Sequence, residues 1–341
     1  MTTAASTTRG PTSLQAPPGA PGPGRLRRTG RAVNQYAGVL VVLAVLVVVL
    51  GATQPQFLTG NNLLIILETN AVLLVVAIGL TFVLLVGGID LSLGGTMAMS
   101  AVGMWAMIQA GVDAPIAALL VVIGGFAVGA LLNGLLIGWV GLSFLVVTIG
   151  TASLFRGIAN LGVGGQSQSL YTDPFIVALG QNQVFGVPII VVVAAAVFVV
   201  GVFVLRYTGY GRMVYAVGGN AEAARLAGMP VVTIRVSVYA ISAGLAALAS
   251  VLDVGRLTSA SPMAGTGIEL TAGAAVLLGG TSFMGGRGTL LGTLLGVLFL
   301  GVLQNGLTLA GISPFWTGVV SGIVLIAAIF VDRIRTGRAM P

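Results

Sequence analysis

The chain contains no cysteine, no histidine and no lysine among its 341 residues. A metal site or proton relay built on histidine is therefore excluded, and cysteine usage carries no information on the redox compartment. The lysine that a P-loop places on the phosphates of ATP is also missing, so the chain cannot carry an ATPase site of that kind. A membrane-embedded enzyme is a weak hypothesis, because cysteine and histidine nucleophiles and a G-x-S-x-G elbow are all absent.

Charged residues are also scarce, at 7% of the sequence, and 57% of the residues are hydrophobic. A soluble globular chain carries roughly 25% charged residues. Long runs rich in Leu, Val, Ala and Gly predict an all-α polytopic membrane protein, because barrel strands would be short and alternating. About ten transmembrane helices are expected, at 36–53, 63–86, 94–110, 114–140, 142–161, 186–205, 230–252, 268–284, 289–310 and 315–331.

The few charges define the expected organisation and orientation. Residues 1–35 form a Pro- and Arg-rich tail that we expect to be disordered, 36–331 form the transmembrane domain, and 332–341 form a C-terminal tail. If the N-terminus is cytoplasmic, thirteen of the fifteen arginines fall in or next to cytoplasmic segments. This bias predicts an even number of spans, with both tails in the cytoplasm.

A short motif occurs twice. Residues 88–94 read G-I-D-L-S-L-G and residues 267–273 read G-I-E-L-T-A-G, while N-G-L occurs at 133–135 and again at 305–307. An odd number of predicted spans separates the members of each pair, so the two halves face opposite ways. This pattern predicts two inverted five-helix repeats, an arrangement of transporters in which the substrate path lies at the repeat interface.

The two repeat motifs each carry an acid, Asp90 and Glu269. Acids at membrane depth are costly and suggest function. The neighbouring glycines predict broken backbone beside each acid, which is tolerated where it is buried in protein or lines water. Each carboxylate is expected either to hold the fold by accepting hydrogen bonds or to bind a solute in the path, and the structural role is favoured for Asp90.

Other polar residues interrupt the apolar spans. Such groups suit an aqueous path for a neutral polyhydroxylated solute, and they suit hydrogen bonds between helices equally well. The candidates for the translocation path are Glu68, Asn70, Asn133, Thr148, Thr151, Gln304 and Asn305.

The longest charged cytoplasmic loop, residues 206–230, contains signals for a short helix. Asn220 can cap a helix over residues 221–226 with Glu222 in its first turn, and Gly228 can end it before Pro230 starts the next span. A plain connector would not need this helix, so the loop is interpreted as a docking element.

Residues 218–228, G-G-N-A-E-A-A-R-L-A-G, resemble the cytoplasmic coupling motif of permeases in ribose/xylose/galactose-type ABC importers, of the branched-chain amino acid/sugar permease family. The segments GGIDLSLGG (87–95), FLVVTIGT (144–151), RLTSASPMAGTGIEL (256–270), GGTSFMGGRGT (279–289) and NGLTLAGISPFW (305–316) are similar to others of that family. The resemblance runs from about residue 55 to 331.

The resemblance implies a homodimeric permease in the bacterial plasma (inner) membrane. Cytoplasmic ABC ATPase subunits would supply ATP and Mg²⁺ chemistry, an extracytoplasmic sugar-binding protein would deliver a monosaccharide, and this chain would bind no cofactor and no nucleic acid. The ATPase would dock on the coupling residues Gly218, Gly219, Asn220, Glu222, Ala223, Ala224, Arg225 and Gly228.

Two functions stay open on the sequence. The first is the permease of an ATP-driven importer for a pentose or hexose, and the alternative is an ion-gradient-driven secondary transporter of a small polar solute. The cargo rests on the resemblance alone, since permeases of similar architecture carry nucleosides or branched-chain amino acids.

Overall fold

The structure, a computed structural model, describes the backbone of residues 25–313 and 316–335. Side chains are described for 38–313, 316 and 318–330. The predictions for residues 1–24 and 336–341 of the two tails therefore lie outside the described residues.

The described chain is built almost entirely of helices. A π-helical turn, Gly129–Gly134, joins α4 to α5. The α-helices are α1 (Arg25–Thr53), α2 (Gly60–Leu85), α3 (Leu93–Gln109), α4 (Ala114–Val128), α5 (Leu135–Gly138), α6 (Phe144–Val163), α7 (Pro174–Gln181), α8 (Ile189–Tyr207), α9 (Gly209–Gly219), α10 (Ala221–Leu226), α11 (Val231–Leu257), α12 (Ile268–Leu278), α13 (Leu290–Leu309) and α14 (Trp316–Arg335).

Each predicted span overlaps one of these helices, which confirms a polytopic all-α membrane protein. Within the described residues, six helical segments are long and apolar enough to cross a membrane: Gly60–Leu85, Ala114–Gly138, Phe144–Val163, Ile189–Tyr207, Val231–Leu257 and Leu290–Leu309. Shorter apolar segments are Gly38–Thr53, Ile268–Leu278 and Gly318–Phe330.

Helix α2 is the centre of the packing. Every residue from Asn70 to Val86 is buried, and α2 packs against α11, α13, α8 and α12. A helix that is apolar on all sides is stable when other helices surround it. The first repeat motif follows directly from the buried end of this helix.

The predicted breaks beside the two acids are present. Helix α2 ends at Leu85 and α3 begins at Leu93, and the intervening loop carries Asp90 and turns at Gly87, where φ is +78°. Glu269 lies in the first turn of α12, after positive φ values of +64° at Gly265 and +76° at Gly267.

Three details differ from the sequence predictions. Helix α1 begins at Arg25 inside the tail predicted to be disordered, because the prolines that oppose helix formation end at Pro23. Helix α12 stops at Leu278 rather than near residue 284, because Gly280 adopts a φ of +89°. The described part of the chain also contains four two-residue strands: β1 (Gln168–Ser169) pairs with β4 (Ser259–Ala260), and β2 (Gln183–Val184) pairs with β3 (Val187–Pro188).

Candidate functional site

Asp90 is fully buried and lies at the centre of a hydrogen-bond network. Its Oδ1 accepts from the backbone N–H of Ser92 at 2.9 Å and from the Ser92 hydroxyl at 2.5 Å. Its Oδ2 accepts from the Ser242 hydroxyl of α11 at 2.8 Å. Both carboxylate oxygens are therefore occupied by donors of the protein itself.

The network continues through Asn133, which the π-helical turn presents to the Asp90 loop. The Asn133 amide nitrogen donates to Ser92 Oγ at 2.8 Å and more weakly to Asp90 Oδ1 at 3.5 Å. The Thr151 hydroxyl of α6 donates to Asn133 Oδ1 at 2.7 Å. The network thus joins the Asp90 loop, the π-helical turn, α6 and α11, and its polar groups satisfy one another.

The other repeat acid has a different environment. Glu269 lies near Arg156 of α6 and Gly94 of α3, and its Oε2 is buried without a hydrogen-bond partner. Arg156 Nη1 donates to the carbonyl oxygens of Pro262 at 2.9 Å and Ala264 at 3.1 Å.

The two repeat motifs meet in space at Gly94. A methyl group added there would collide with the Gly265 carbonyl and with the Glu269 carboxylate, and it would lie 3.1 Å from Arg156 Nη2. Because Gly94 has no side chain, the second motif can pack against the start of α3, where the first motif ends.

A cavity of about 410 Å³ adjoins this contact. It lies between α2, the C-terminal end of α11, the segment 259–268 and α13. Its polar lining residues are Thr69, Asn70, Asp253, Arg256, Ser259, Ser261, Thr266, Thr271 and Gln304. Asp253 and Arg256 pair at 2.8 Å, so the strongest charges on the cavity wall neutralise each other.

Asn70 lines this cavity and carries a buried acceptor without a partner. Its amide nitrogen donates to the Ile66 carbonyl at 2.7 Å, while its Oδ1 is buried without a hydrogen-bond partner. The side chain packs against the backbone of Gly301 in α13, where an added Cβ would overlap the amide. A buried carbonyl oxygen without a donor is costly.

The seven candidate path residues therefore lie in different environments, and only some of them line the cavity. Asn70 and Gln304 line the cavity, while Asn133 and Thr151 belong to the Asp90 network. Thr148 is buried and donates to the Phe144 carbonyl at 2.8 Å.

Asn305 lies in α13 and forms a reciprocal amide pair with Asn62 of α2, at 2.8 and 3.0 Å. Glu68 is half-buried in α2 and does not line the cavity.

Sequence reasoning did not single out the cavity residues of α11 and of the segment that follows it. Asp253, Ser259 and Ser261 lie within or next to the segment 256–270. The sequence indicated a role for this segment only through its resemblance to a family. A dense run of Ser, Thr and Gly between two apolar helices was the available signal.

The short helix predicted over residues 221–226 is present with the expected bounds. Asn220 Oδ1 accepts from the Ala223 N–H at 3.0 Å and so caps α10, which runs from Ala221 to Leu226. Gly228 follows with a φ of +78°.

The surface of α10 is mostly exposed. Arg225 pairs with Glu222 at 2.6 Å and lowers the pKa of that carboxyl by hydrogen bonding. Leu226 is 76% exposed, while Ala224 is buried and fixes the helix to the core. The helix therefore presents a charged pair and an apolar tip to the outside.

Comparison with known proteins identifies the family. A family model described as the permease component of branched-chain amino acid transport systems matches residues 62–329. The ribose import permease protein of Bacillus subtilis (strain 168) is 40% identical over 302 residues, covering 88% of this chain and 94% of the relative. The D-allose transport system permease protein of Escherichia coli (strain K12) is 36% identical over 301 residues, covering 87% and 91% of the two chains.

The similarity extends to a permease whose name specifies a different cargo. The autoinducer 2 import system permease protein of Salmonella typhi is 33% identical over 308 residues, covering 89% of this chain and 87% of the relative. No solved structure matches the chain. The chain therefore belongs to the branched-chain amino acid transport system permease family and is the multi-pass permease subunit of an ABC importer, with ATP hydrolysis carried by partner subunits.

Proposed function

We propose that this permease imports a monosaccharide, a pentose or hexose, which an extracytoplasmic binding protein delivers. The observation that carries the proposal is the cavity beside the meeting point of the two repeat motifs. Its volume of about 410 Å³ lies within the range of roughly 300–1,000 Å³ typical of small-molecule sites. The names of two relatives, which specify ribose and D-allose, support this class of cargo.

The cavity lining suits a neutral, hydroxyl-rich molecule. The hydroxyl groups of Ser259 and Ser261 can hydrogen-bond to such a molecule, and Asn70 Oδ1 offers an acceptor without a partner where the transport cycle exposes it. The Asp253–Arg256 pair leaves no uncompensated charge that would require a charged cargo. A sugar binds through such an array of neutral hydrogen bonds.

The proposed topology has ten spans in two inverted five-helix repeats, with both termini in the cytoplasm. In this orientation the cavity lies toward the outer side, because α11 ends and α12 begins there. The coupling helix α10 then lies on the cytoplasmic side, where the excess of arginines is found. A second copy of the chain is expected to complete a homodimer.

Transport in this scheme is mechanical and breaks no covalent bond in the permease. ATP-driven closure of two ATPase subunits moves α10, which the exposed Glu222–Arg225 pair and Leu226 present for docking. The movement biases the helices between outward- and inward-facing states through differential affinity of the ATPase for the two states. The binding protein releases sugar into the cavity when it faces outward.

The test is uptake in proteoliposomes that contain the permease, its ATPase and its binding protein. Radiolabelled ribose uptake is expected to require ATP on the ATPase side and to continue when ionophores collapse all ion gradients. Uptake that is abolished by ionophores and indifferent to ATP would support the ion-gradient-driven alternative. Uptake of a nucleoside or branched-chain amino acid in place of ribose, allose, xylose and galactose would overturn the sugar assignment.

A further inference from the structure

Three backbone segments touch one another at the end of α9, with no side chain between them. The Gly286 N–H donates to the Leu85 carbonyl at 2.9 Å. A Cβ added at Gly218 would overlap that same carbonyl oxygen and would lie 2.6 Å from the Gly286 nitrogen. Only glycine fits at position 218, because any side chain would push the three segments apart.

A second glycine extends this contact toward the first repeat motif. Gly285 has a φ of +84°, and a Cβ added there would lie 2.8 Å from the Gly87 nitrogen and 2.9 Å from the Gly218 carbonyl oxygen. Below, Leu85, Gly87, Gly218, Gly285 and Gly286 are called the glycine junction.

The glycine junction is connected to the coupling helix α10 through the end of α9. Gly218 is followed by Gly219 at the end of α9 and then by Asn220, which caps α10. Only Gly219 and Asn220 separate Gly218 from the first residue of α10, so a displacement of α10 acts on Gly218 across two residues. The Tyr215 hydroxyl of α9 also donates to the Gly288 carbonyl at 3.0 Å and holds α9 against the 279–289 segment.

The glycine junction is also connected to the Asp90 loop through the residues that follow α2. Gly87 and Gly88 follow the end of α2. Gly88 packs against the Tyr239 hydroxyl, and a Cβ added at Gly88 would lie 2.5 Å from that oxygen. That hydroxyl donates to the Ile89 carbonyl at 3.3 Å. Asp90 comes next and joins the loop to α11 through Ser242.

We propose that Gly218 and the Gly285–Gly286 turn transmit the displacement of the coupling helix to the Asp90 loop. This inference rests on the proposed function. It assigns Gly218, which the sequence placed on the ATPase-docking surface, to an internal positioning role. It adds Gly285 and Gly286 as positioning residues of the transport cycle.

The physical reason is the stiffness of contacts between backbones. A side chain between two elements can absorb a small displacement by changing rotamer, whereas backbone atoms in van der Waals contact cannot move independently of each other. Packed interiors have low compressibility and two discrete arrangements rather than a continuum. A shift of α9 against Leu85 therefore displaces the end of α2 and the loop attached to it.

Gly218→Ala is the main test, and Gly209→Ala is its matched control. Both substitutions add one methyl group to α9, but a Cβ at Gly209 meets only the Arg212 Nη2 atom at 3.7 Å. The measurement is ribose transported per ATP hydrolysed by the permease–ATPase–binding protein complex in proteoliposomes. We expect Gly218→Ala to lower this ratio about tenfold, within the usual range of coupling between sites, and Gly209→Ala to leave it unchanged.

Tyr215→Phe provides a second test if the alanine variant fails to assemble. It removes the hydroxyl and adds no volume, so the hydrogen bond to the Gly288 carbonyl is lost without a steric clash. A reduction of about twofold to tenfold in the same ratio is expected, in line with the net value of one hydrogen bond. ATPase co-purification should stay at the wild-type level.

The outcomes separate this inference from the proposed function. If the Tyr215→Phe and Gly218→Ala complexes take up ribose at the wild-type rate with an unchanged transport ratio, the proposed role of the glycine junction is wrong. The proposed function as a sugar permease is then unaffected. A fall in the ratio that merely follows loss of the ATPase from the complex would also overturn the role of the glycine junction. A wild-type complex without ATP-driven ribose uptake would refute the proposed function and this inference together.

Discussion

Replacing Asp90 tests whether the buried carboxylate holds the fold or belongs to the substrate path. Asp90→Ala removes the acceptor of three short hydrogen bonds, two from Ser92 and one from Ser242. Asp90→Asn is milder, because the amide oxygen can keep Ser92 and the amide nitrogen can donate to the Ser242 hydroxyl in reverse.

The expected magnitudes follow from the number and type of these bonds. A buried donor left unpaired costs about 1–3 kcal/mol, so the three donors released by Asp90→Ala should together cost about 3–9 kcal/mol. Hydrogen bonds to a charged group contribute about 1.5–3 kcal/mol and neutral ones about 0.5–1.5 kcal/mol. The difference is about 1–1.5 kcal/mol per bond, so over three bonds Asp90→Asn should cost about 3–4.5 kcal/mol. That is a large part of a total stability of about 5–15 kcal/mol.

The assay is the fraction of monodisperse protein after heating in detergent, read by size exclusion of a fluorescent fusion. Thiol-reactive dyes do not serve here, because the chain has no cysteine. Asp113→Asn is the matched control, since Asp113 is exposed before α4 and its side chain makes no capping hydrogen bond. Its effect should stay within about 0.5 kcal/mol, as is usual for surface substitutions.

Stability and transport together decide between the two roles. The structural role predicts that membrane abundance and melting temperature fall in the order wild type, Asp90→Asn, Asp90→Ala, and that the folded remainder of Asp90→Asn still takes up sugar. An Asp90→Asn protein of wild-type abundance and melting temperature that has lost uptake would refute this reasoning and place the carboxylate in the path.

Three further predictions concern exposed and cavity-lining residues. Glu222→Ala should uncouple sugar uptake from ATP hydrolysis without lowering membrane abundance, because Glu222 lies on the exposed surface of α10. A collapse in its abundance would make that surface structural. Gly228→Ala should also uncouple uptake, and a modest loss of stability is expected from the φ of +78° at that position. Asn70→Leu should raise the KM of ribose uptake by removing the unpaired acceptor of the cavity, and an unchanged KM would take Asn70 out of the path. Trp316→Leu should lower the level of folded protein without changing sugar preference, because an indole at the start of a span anchors at the membrane interface; an altered preference would instead place the indole on the sugar.

Local physics made several features predictable from the sequence. The positions of the main helices follow from apolar runs of sufficient length and from the glycines and prolines between them. Helix α10 was predicted with the observed bounds, because its cap joins Asn220 to Ala223, three residues along the chain. The motif of residues 218–228 indicated the family that the comparisons confirm.

The tertiary structure decided what the polar residues do. Asn133 and Asn305 occupy the same place in two copies of N-G-L, yet the first joins Asp90 and Ser92 and the second pairs with Asn62. The partners lie 43, 41 and 243 residues away in the chain. No local pattern encodes such distances, so path and packing roles could not be separated beforehand.

The adjacent glycines of the coupling motif show the same division. The sequence identifies Gly218 and Gly219 together as part of one cytoplasmic motif and determines the capped helix that follows. The structure alone shows that Gly218 meets the backbone of Leu85 while a side chain at Gly219 would meet open space. Helix formation depends on near neighbours along the chain, whereas the fit of one backbone against another depends on how distant helices pack.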